Sequence, residues 1–270
     1  MKIKQKIYKI TPWFLKGLLE IMNKHHKEKD FSKIMKNCNG MLSATVYKKI
    51  YEFSLEFAHS DMIEIGAAHG ASSISIALAI KKRGFNKKLF SYEKGEGGSR
   101  AQYGSKKDNL TILNNNIKKF KVNKEIRIID SYITDDYVLP EDIKNKSPFS
   151  LICIDADGEL IRDFKIFYDL LMPGAGIIID DYEISVFPKF KQDDGVRKNY
   201  KTYCLVNYLV SKGLIIQNEV VGNTFFGTKP IVTKKFNQSI NLDDIKEIYK
   251  HISLLEDKIK INQFHDVYSS

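Results

Sequence analysis

The chain lacks any unbroken apolar run of the length, about 18 residues, that a membrane-crossing helix requires, so no transmembrane span is expected. A secretory leader is not expected either. The opening MKIKQKIYKITPWFLKGLLEIM is basic and amphipathic, with no continuous apolar core followed by a small-residue cleavage site. Cysteine is scarce: Cys38, Cys153 and Cys204 lie far apart and form no C-x-x-C pair, which excludes a cysteine-based zinc site and fits a reducing compartment. Cys153, inside an apolar run, reads as a small core residue. These absences lead to the expectation of a cytoplasmic protein. Arginine is also rare, five of 43 basic residues, with lysine spread over the whole chain. The net charge of +10 would suit nucleic acid, but a dedicated footprint clusters and favours arginine. A scattered lysine surface instead serves solubility, and an anionic small substrate is expected before a nucleic acid.

What is present is an ordinary globular composition, 43% hydrophobic over 270 residues, enough for one large α/β domain with appendages. No internal repeat occurs. Residues 1–58 read as a helical segment: Trp13, Phe14, Leu18, Ile21 and Met22 recur at helical spacing, and Tyr47, Ile50, Tyr51, Ser54 and Leu55 do so again. From Asp61 the rhythm changes. Short apolar runs (MIEIG, KLFSYE, EIRIID, SLICID, AGIIID) alternate with helical patterns, among them ELIRDFKIFYDLLM with Leu160, Ile161, Phe164, Phe167, Tyr168 and Leu171 on one face. Such alternation predicts a doubly wound, mostly parallel, Rossmann-like α/β sheet. After Asp181 a polar loop precedes GVRKNYKTYCLVNYLVSKG, a helix that Asp193 or Asp194 can cap and Gly213 can end. Two strand-like runs around Gly222-Asn223 predict an antiparallel C-terminal hairpin. The main domain is therefore placed at 59–230. The tail, 231–270, carries Leu242, Ile245, Ile248, Tyr249, Ile252, Leu255 and Ile259 on one helical face, which packs on its own domain or serves a homodimer. The Gly-rich EKGEGGSR after the second strand reads as a mobile loop.

In an open α/β sheet, ligands bind beyond the carboxyl ends of the strands, and the polar residues of interest fall there. The first strand ends in EIGAAHGASS, where Gly66 and Gly70 open a helix near Ala71 and offer small residues beside unpaired N–H groups. No Gly-Lys-Ser/Thr follows, so this is not a phosphate-binding Walker loop, and Ala68 stands where a nicotinamide fingerprint wants glycine. Glu64, just before the turn, would suit a cationic ligand part. Glu93 at the end of the second strand can accept two ribose hydroxyls, and Asp130, Ser131 and Tyr132 at the end of the third can line an adenine pocket. The fourth strand ends in CIDADG, with Asp155 and Asp157, and the fifth in Asp180-Asp181. Four carboxylates in one crevice repel, and a hard divalent cation such as Mg²⁺ removes that penalty. A plainer reading has Asp157 start the next helix near Glu159 and Asp180 or Asp181 cap a turn. Both Asp180 and Asp181 can face the crevice only if the strand has ended, since successive strand side chains point to opposite faces.

This ordered set resembles the class I S-adenosylmethionine-dependent methyltransferases: Glu64-x-Gly66-x-x-x-Gly70, an acidic Glu93, and LLMPGAGIIIDDY leading into the fifth strand. Within them it is similar to the metal-dependent sugar O-methyltransferases of the macrocin and novobiocin type, through Asp155-Ala156-Asp157, Asp180-Asp181-Tyr182 and Gly195-Val196-Arg197. The resemblance covers about residues 60–228. It implies a cofactor held by Glu64, Gly66, Ala67, Gly70, Ser72, Glu93, Ser131 and Asp155, a metal on Asp155, Asp180 and Asp181, and Asp157 as general base, with His69 competing for that role. The chain departs from the subfamily on the acceptor side: Ala68-His69-Gly70 replaces Trp-Arg-Gly, and Gly158, Glu159 and Leu160 replace the usual aromatic and hydroxyl residues. A sugar hydroxyl is the expected acceptor. The alternatives are a catechol-like phenol, an RNA, or cofactor binding without turnover.

Overall fold

The computed structural model describes residues 30–95, 109–186, 198–232 and 234–268. The expected first helix around Trp13, the Gly-rich segment beyond Gly95, and the Asp193, Asp194 and Gly195-Val196-Arg197 features lie outside the described residues. In chain order the elements are α1 (30–37), α2 (Ala44–Phe57), β1 (Met62–Ile65), α3 (Ala71–Arg83), β2 (Leu89–Glu93), α4 (Asn109–Lys119), β3 (Ile126–Asp130), α5 (Glu141–Lys144), β4 (Phe149–Ile154), α6 (Leu160–Phe167), β5 (Leu171–Ile179), α7 (Lys198–Ser211), β6 (Ile216–Val221), β7 (Thr224–Thr228), α8 (Phe236–Ser239) and α9 (Leu242–Tyr268). The strands form one sheet in the order β3-β2-β1-β4-β5-β7-β6. β1 to β5 are parallel, and β7 runs antiparallel between β5 and β6. The mostly parallel sheet with its antiparallel C-terminal hairpin is the expected architecture, and the hairpin turns at Gly222, whose φ of +64° favours glycine.

Strand periodicity builds two cores. Ile63, Ile65, Phe90, Tyr92, Ile152, Ile154, Ile177 and Ile179 point to one face, where Phe164 of α6 and Leu205 and Leu209 of α7 cover them. Met62, Leu89, Leu151, Cys153 and Ile178 point to the other, under Ile50 and Phe53 of α2 and Ile74 and Ile80 of α3. Burying each such side chain contributes about 1.5–3 kcal/mol over leaving it exposed, so alternation decides which helices lie where. Helix α2 starts at Ser43, whose hydroxyl accepts the Val46 N–H, and its Phe53 and Phe57 rest on β5 where Gly176 leaves them room. Phe236 of α8 and Ile245 of α9 enter the same buried cluster as β1, β4 and β5. Among the described residues no helix is long and apolar enough to cross a membrane.

One element differs from expectation. The helical pattern over 159–172 ends as an α-helix at Phe167, passes through a 3-10 turn at Tyr168–Leu170, and Leu171 and Met172 already belong to β5. Leu171 pairs with Phe149 before a register shift, and Gly174, φ +75°, makes the irregularity that lets Pro173 sit within the strand. An apolar Leu-Leu-Met run suits a buried helix end and a buried strand start equally. Pairing with β4, a contact remote in sequence, decides between them.

Candidate active site

The carboxyl ends of β1, β2, β4 and β5 converge. Register places Ile65 beside Tyr92 and Ile154, and Ile154 beside Ile179, so the residues that follow each strand become neighbours. The Asp155 N–H donates to the Ile65 carbonyl at 2.8 Å, and the Asp180 N–H to the Ile154 carbonyl at 3.0 Å. β5 has ended at Ile179, and Asp181 takes a left-handed φ of +58°. That turn satisfies the condition for two adjacent aspartates to face one crevice. Carboxylate oxygens of Asp155, Asp180 and Asp181 all lie within 4.8 Å of one another.

The Gly66–Gly70 turn closes the other side. Gly66, Ala68 and Gly70 have φ of +90°, +47° and +91°, a backbone that only small residues follow readily. Glu93 fixes it: Oε2 accepts the Ala68 N–H at 2.5 Å, and the Ser131 N–H donates to the Glu93 carbonyl at 3.2 Å. Burial raises the Glu93 carboxyl above the usual range, with the Ala68 N–H and Asn109 pulling the other way. Ala67, Ala68, His69, Ser72 and Asp155 line one concave pocket roofed by Cys38–Leu42. The pocket's small residues leave room for a ligand, its N-terminal helix turn favours an anionic group and its Asp155 carboxylate a cationic one. Burial lowers the His69 imidazole, and its backbone carbonyl accepts from Asn116 at 2.9 Å.

Glu64 lies directly beneath this turn. It occupies the same sheet face as Cys153 and Ser91, its register partners, and has no exposed surface. Oε1 accepts the Ser72 hydroxyl at 2.6 Å, and Oε2 accepts those of Ser73 and Ser91, each at 2.5 Å. Desolvation outweighs those three donors and lifts the carboxyl to about 7. The unfolded chain releases this proton near the ordinary 4.5 while the native state keeps it to about 7. Glu64 therefore contributes stability that is complete below pH 4.5 and lost as pH rises through 7, about 3 kcal/mol in all. Urea melts from pH 4.5 to 8 should show that decline in the wild type and a flatter profile in Glu64→Gln. An unchanged profile in the variant would assign the slope to other groups.

Asp157 is drawn elsewhere. Arg162 of α6 grips both its oxygens at 2.8 and 2.9 Å, and the Tyr132 hydroxyl donates to Oδ2 at 2.6 Å. Burial would raise this carboxyl, but those partners and the Glu159 N–H hold it at about 2. The plainer expectation for Asp157 is thus met in part, since at 3.1 Å it caps the Glu159 N–H ahead of α6. A carboxyl so depressed is a weak proton acceptor. Tyr132, expected near an adenine pocket with Ser131, lies between the Lys94 and Arg162 cations and hydrogen-bonds Asp157.

Two residues at the acidic crevice were not expected. Thr224 at the start of β7 donates to Asp180 Oδ1 at 2.7 Å. Lys198, the first residue of α7, places Nζ 2.5 Å from Asp181 Oδ2 and 4.0 Å from Asp155 Oδ1. Burial would lower the Lys198 ammonium, but Asp155, Asp181 and Asp180 outweigh it and raise it. Burial, then Asp155 and Asp181, pushes Asp180 well above the carboxylate range. No spacing rule marks Lys198. A weak signal did exist for the Glu64 cluster: Glu64 and Ser91 are polar interruptions at matching places in two apolar strands.

Comparison with known proteins follows the same lines. Residues 63–182 match a family model described as "Methyltransferase domain". No curated protein matches the chain in sequence. Among solved structures, an O-methyltransferase from Bacillus cereus in complex with SAH is 17% identical, with a TM-score of 0.55 over 74% of this chain and 90% of that one. An SAH-bound methyltransferase from Podospora anserina is 13% identical, with a TM-score of 0.54 over 82% and 97%. An O-methyltransferase of tomaymycin synthesis from Streptomyces achromogenes, in complex with SAM, is 14% identical, with a TM-score of 0.51 over 76% and 89%. At these identities the likeness establishes the fold, Rossmann-like with the methyltransferase strand order.

Proposed function

We propose, from the match of residues 63–182 to a methyltransferase-domain model, that the chain is an S-adenosylmethionine-dependent O-methyltransferase acting on a sugar hydroxyl with the help of a hard divalent cation. The observation that carries this reading is one of position. At a single sheet edge, the Gly66–Gly70 turn with Glu93 meets the oxygen triad of Asp155, Asp180 and Asp181. SAH and SAM in the similar solved structures support the cofactor. The three hard oxygen donors suit Mg²⁺ or a similar ion, and a divalent cation would offset the mutual repulsion that pushes Asp180 above the carboxylate range.

S-adenosylmethionine, when bound, supplies a methyl group activated on a sulfonium. A divalent cation, when bound by Asp155, Asp180 and Asp181, supplies positive charge that stabilises a developing alkoxide. The protein's own groups do the rest. Glu93 accepts the ribose hydroxyls with the lone pairs left beside the Ala68 bond. Ala67 and the Gly66–Gly70 turn would border the cofactor, and Ser131 the base end. Glu64 acts through Ser72 and Ser73, holding the start of α3 under the cofactor. Asp155 joins the cofactor pocket to the acidic crevice and so aligns donor with acceptor. Asp157, both of whose oxygens are taken by Arg162, Tyr132 and the Glu159 N–H, shapes the rim, and the proton of the attacking hydroxyl would pass to His69, which lines the adjoining pocket with Asp155.

The test has two stages. Melting temperatures are compared with S-adenosylhomocysteine, with NAD and with neither, at fixed protein concentration. Stabilisation by about 2.7 kcal/mol is expected at a hundredfold excess of S-adenosylhomocysteine over its Kd, and none with NAD. A shift with NAD alone would discard the cofactor reading. Labelled-methyl transfer is then measured with Mg²⁺ on nucleotide-linked sugars and on aromatic diols. Turnover of sugars is expected; turnover of diols alone would replace the sugar by a phenol.

A further inference from the structure

We propose that Lys198 is a tethered cation that competes with the divalent metal for Asp155 and Asp181, so that metal enters the acidic crevice only when this side chain withdraws. The inference rests on the reading that the crevice holds a metal, and it deepens that reading by naming what controls occupancy.

Space is the first argument. The three carboxylate oxygens lie within 4.8 Å of one another, so an ion touching all of them must lie within a few ångströms of each. Lys198 Nζ already lies 2.5 Å from Asp181 Oδ2 and 4.0 Å from Asp155 Oδ1, and it donates to the Ala156 carbonyl. Two cations cannot share that volume without strong repulsion. The lysine uses two of the three carboxylates and leaves Asp180 to the Thr224 hydroxyl.

The approach route is the second argument. The Lys198 stem crosses Gly158, where an added Cβ would lie 3.1 Å from Lys198 Cγ and 3.5 Å from Cε. Any other residue at 158 would press on the stem. Gly158 also has φ +83°, so its conformation and its lack of a side chain both serve the lysine's path. The Lys198 side chain can swing away by χ rotation, which leaves the backbone hydrogen bonds of α7 untouched.

The experiment is Mn²⁺ binding to the full chain, followed by the electron paramagnetic resonance signal of free Mn²⁺, in wild type and Lys198→Met at one pH and ionic strength. Competition predicts at least tenfold tighter Mn²⁺ binding by the variant. Equal affinity in both proteins would overturn the competition while leaving the metal reading in place. Binding in neither would remove the metal reading, and the competition with it. The melting shift with S-adenosylhomocysteine reports that each protein is folded. Should Lys198→Met lose it, Lys198→Gln keeps part of the stem and a polar end while removing the charge. Tightening there supports the proposal, and its absence overturns it.

Discussion

Replacing Asp181 by alanine should lower methyl transfer by about a thousandfold or more, equivalent to about 4 kcal/mol of transition-state stabilisation, while the S-adenosylhomocysteine melting shift survives. The separation of effects follows from where Asp181 sits. Its oxygen belongs to the triad with Asp155 and Asp180, whereas the pocket proposed for the cofactor is lined by Ala67, Ala68, His69, Ser72 and Asp155 without it. Asp155 belongs to both groups, so Asp155→Ala should lose turnover and weaken cofactor binding together. Asp181 also holds a left-handed φ of +58°, which aspartate and asparagine tolerate better than alanine. Asp181→Asn therefore keeps the backbone preference and removes the charge. Equal losses in the two variants would assign the effect to the carboxylate. An Asp181→Ala enzyme fully active in chelator would sink the metal reading.

The other large effect concerns the backbone. Gly66→Ala should destabilise the fold by about 2–5 kcal/mol and abolish the S-adenosylhomocysteine shift. A Cβ there would fall 1.9 Å from the Asp155 carbonyl oxygen and 2.6 Å from its carbon, at φ +90°. Those are backbone atoms of a paired strand end, held by the Asp155 N–H to the Ile65 carbonyl, so no side chain can rotate away to relieve the clash. Overpacking typically costs about 1–3 kcal/mol, and a left-handed alanine adds about 1–2 more. Gly84 provides the control. It has φ +73° with nothing within 4 Å of an added Cβ, so Gly84→Ala isolates the conformational part at about 1–2 kcal/mol. Equal urea stabilities for the two variants would show that the close approach of β1 to β4 costs nothing.

Both expectations draw on features of unequal visibility in the sequence. MIEIG, KLFSYE, EIRIID, SLICID and AGIIID each become a strand of the sheet, because an apolar run bounded by polar residues is a local property. Parity was legible as well. Glu64, two residues from Met62, had to share its face and oppose Ile63 and Ile65. What no run could show was that three serine hydroxyls would gather on it, since Ser91 arrives from a neighbouring strand and Ser72 and Ser73 from the next helix.

The acidic crevice divides in the same way. Strand alternation alone set Asp155, Asp157, Asp180 and Asp181 at the carboxyl ends of two strands, because apolar runs must end where the covered sheet ends. Which of the four would meet was a tertiary matter. Asp157 left the group because Arg162, in the first turn of α6, could reach both its oxygens, and Asp181 joined it by adopting a left-handed φ just past β5. Lys198 came from 42 residues beyond Ala156 to lodge among them. By itself, then, the sequence determined the strands, their faces and the positions of the charges along them, all consequences of period-two burial. The tertiary structure alone decided which charges face one another, because that depends on chain direction after each strand ends and on partners too distant in sequence for any local pattern to record.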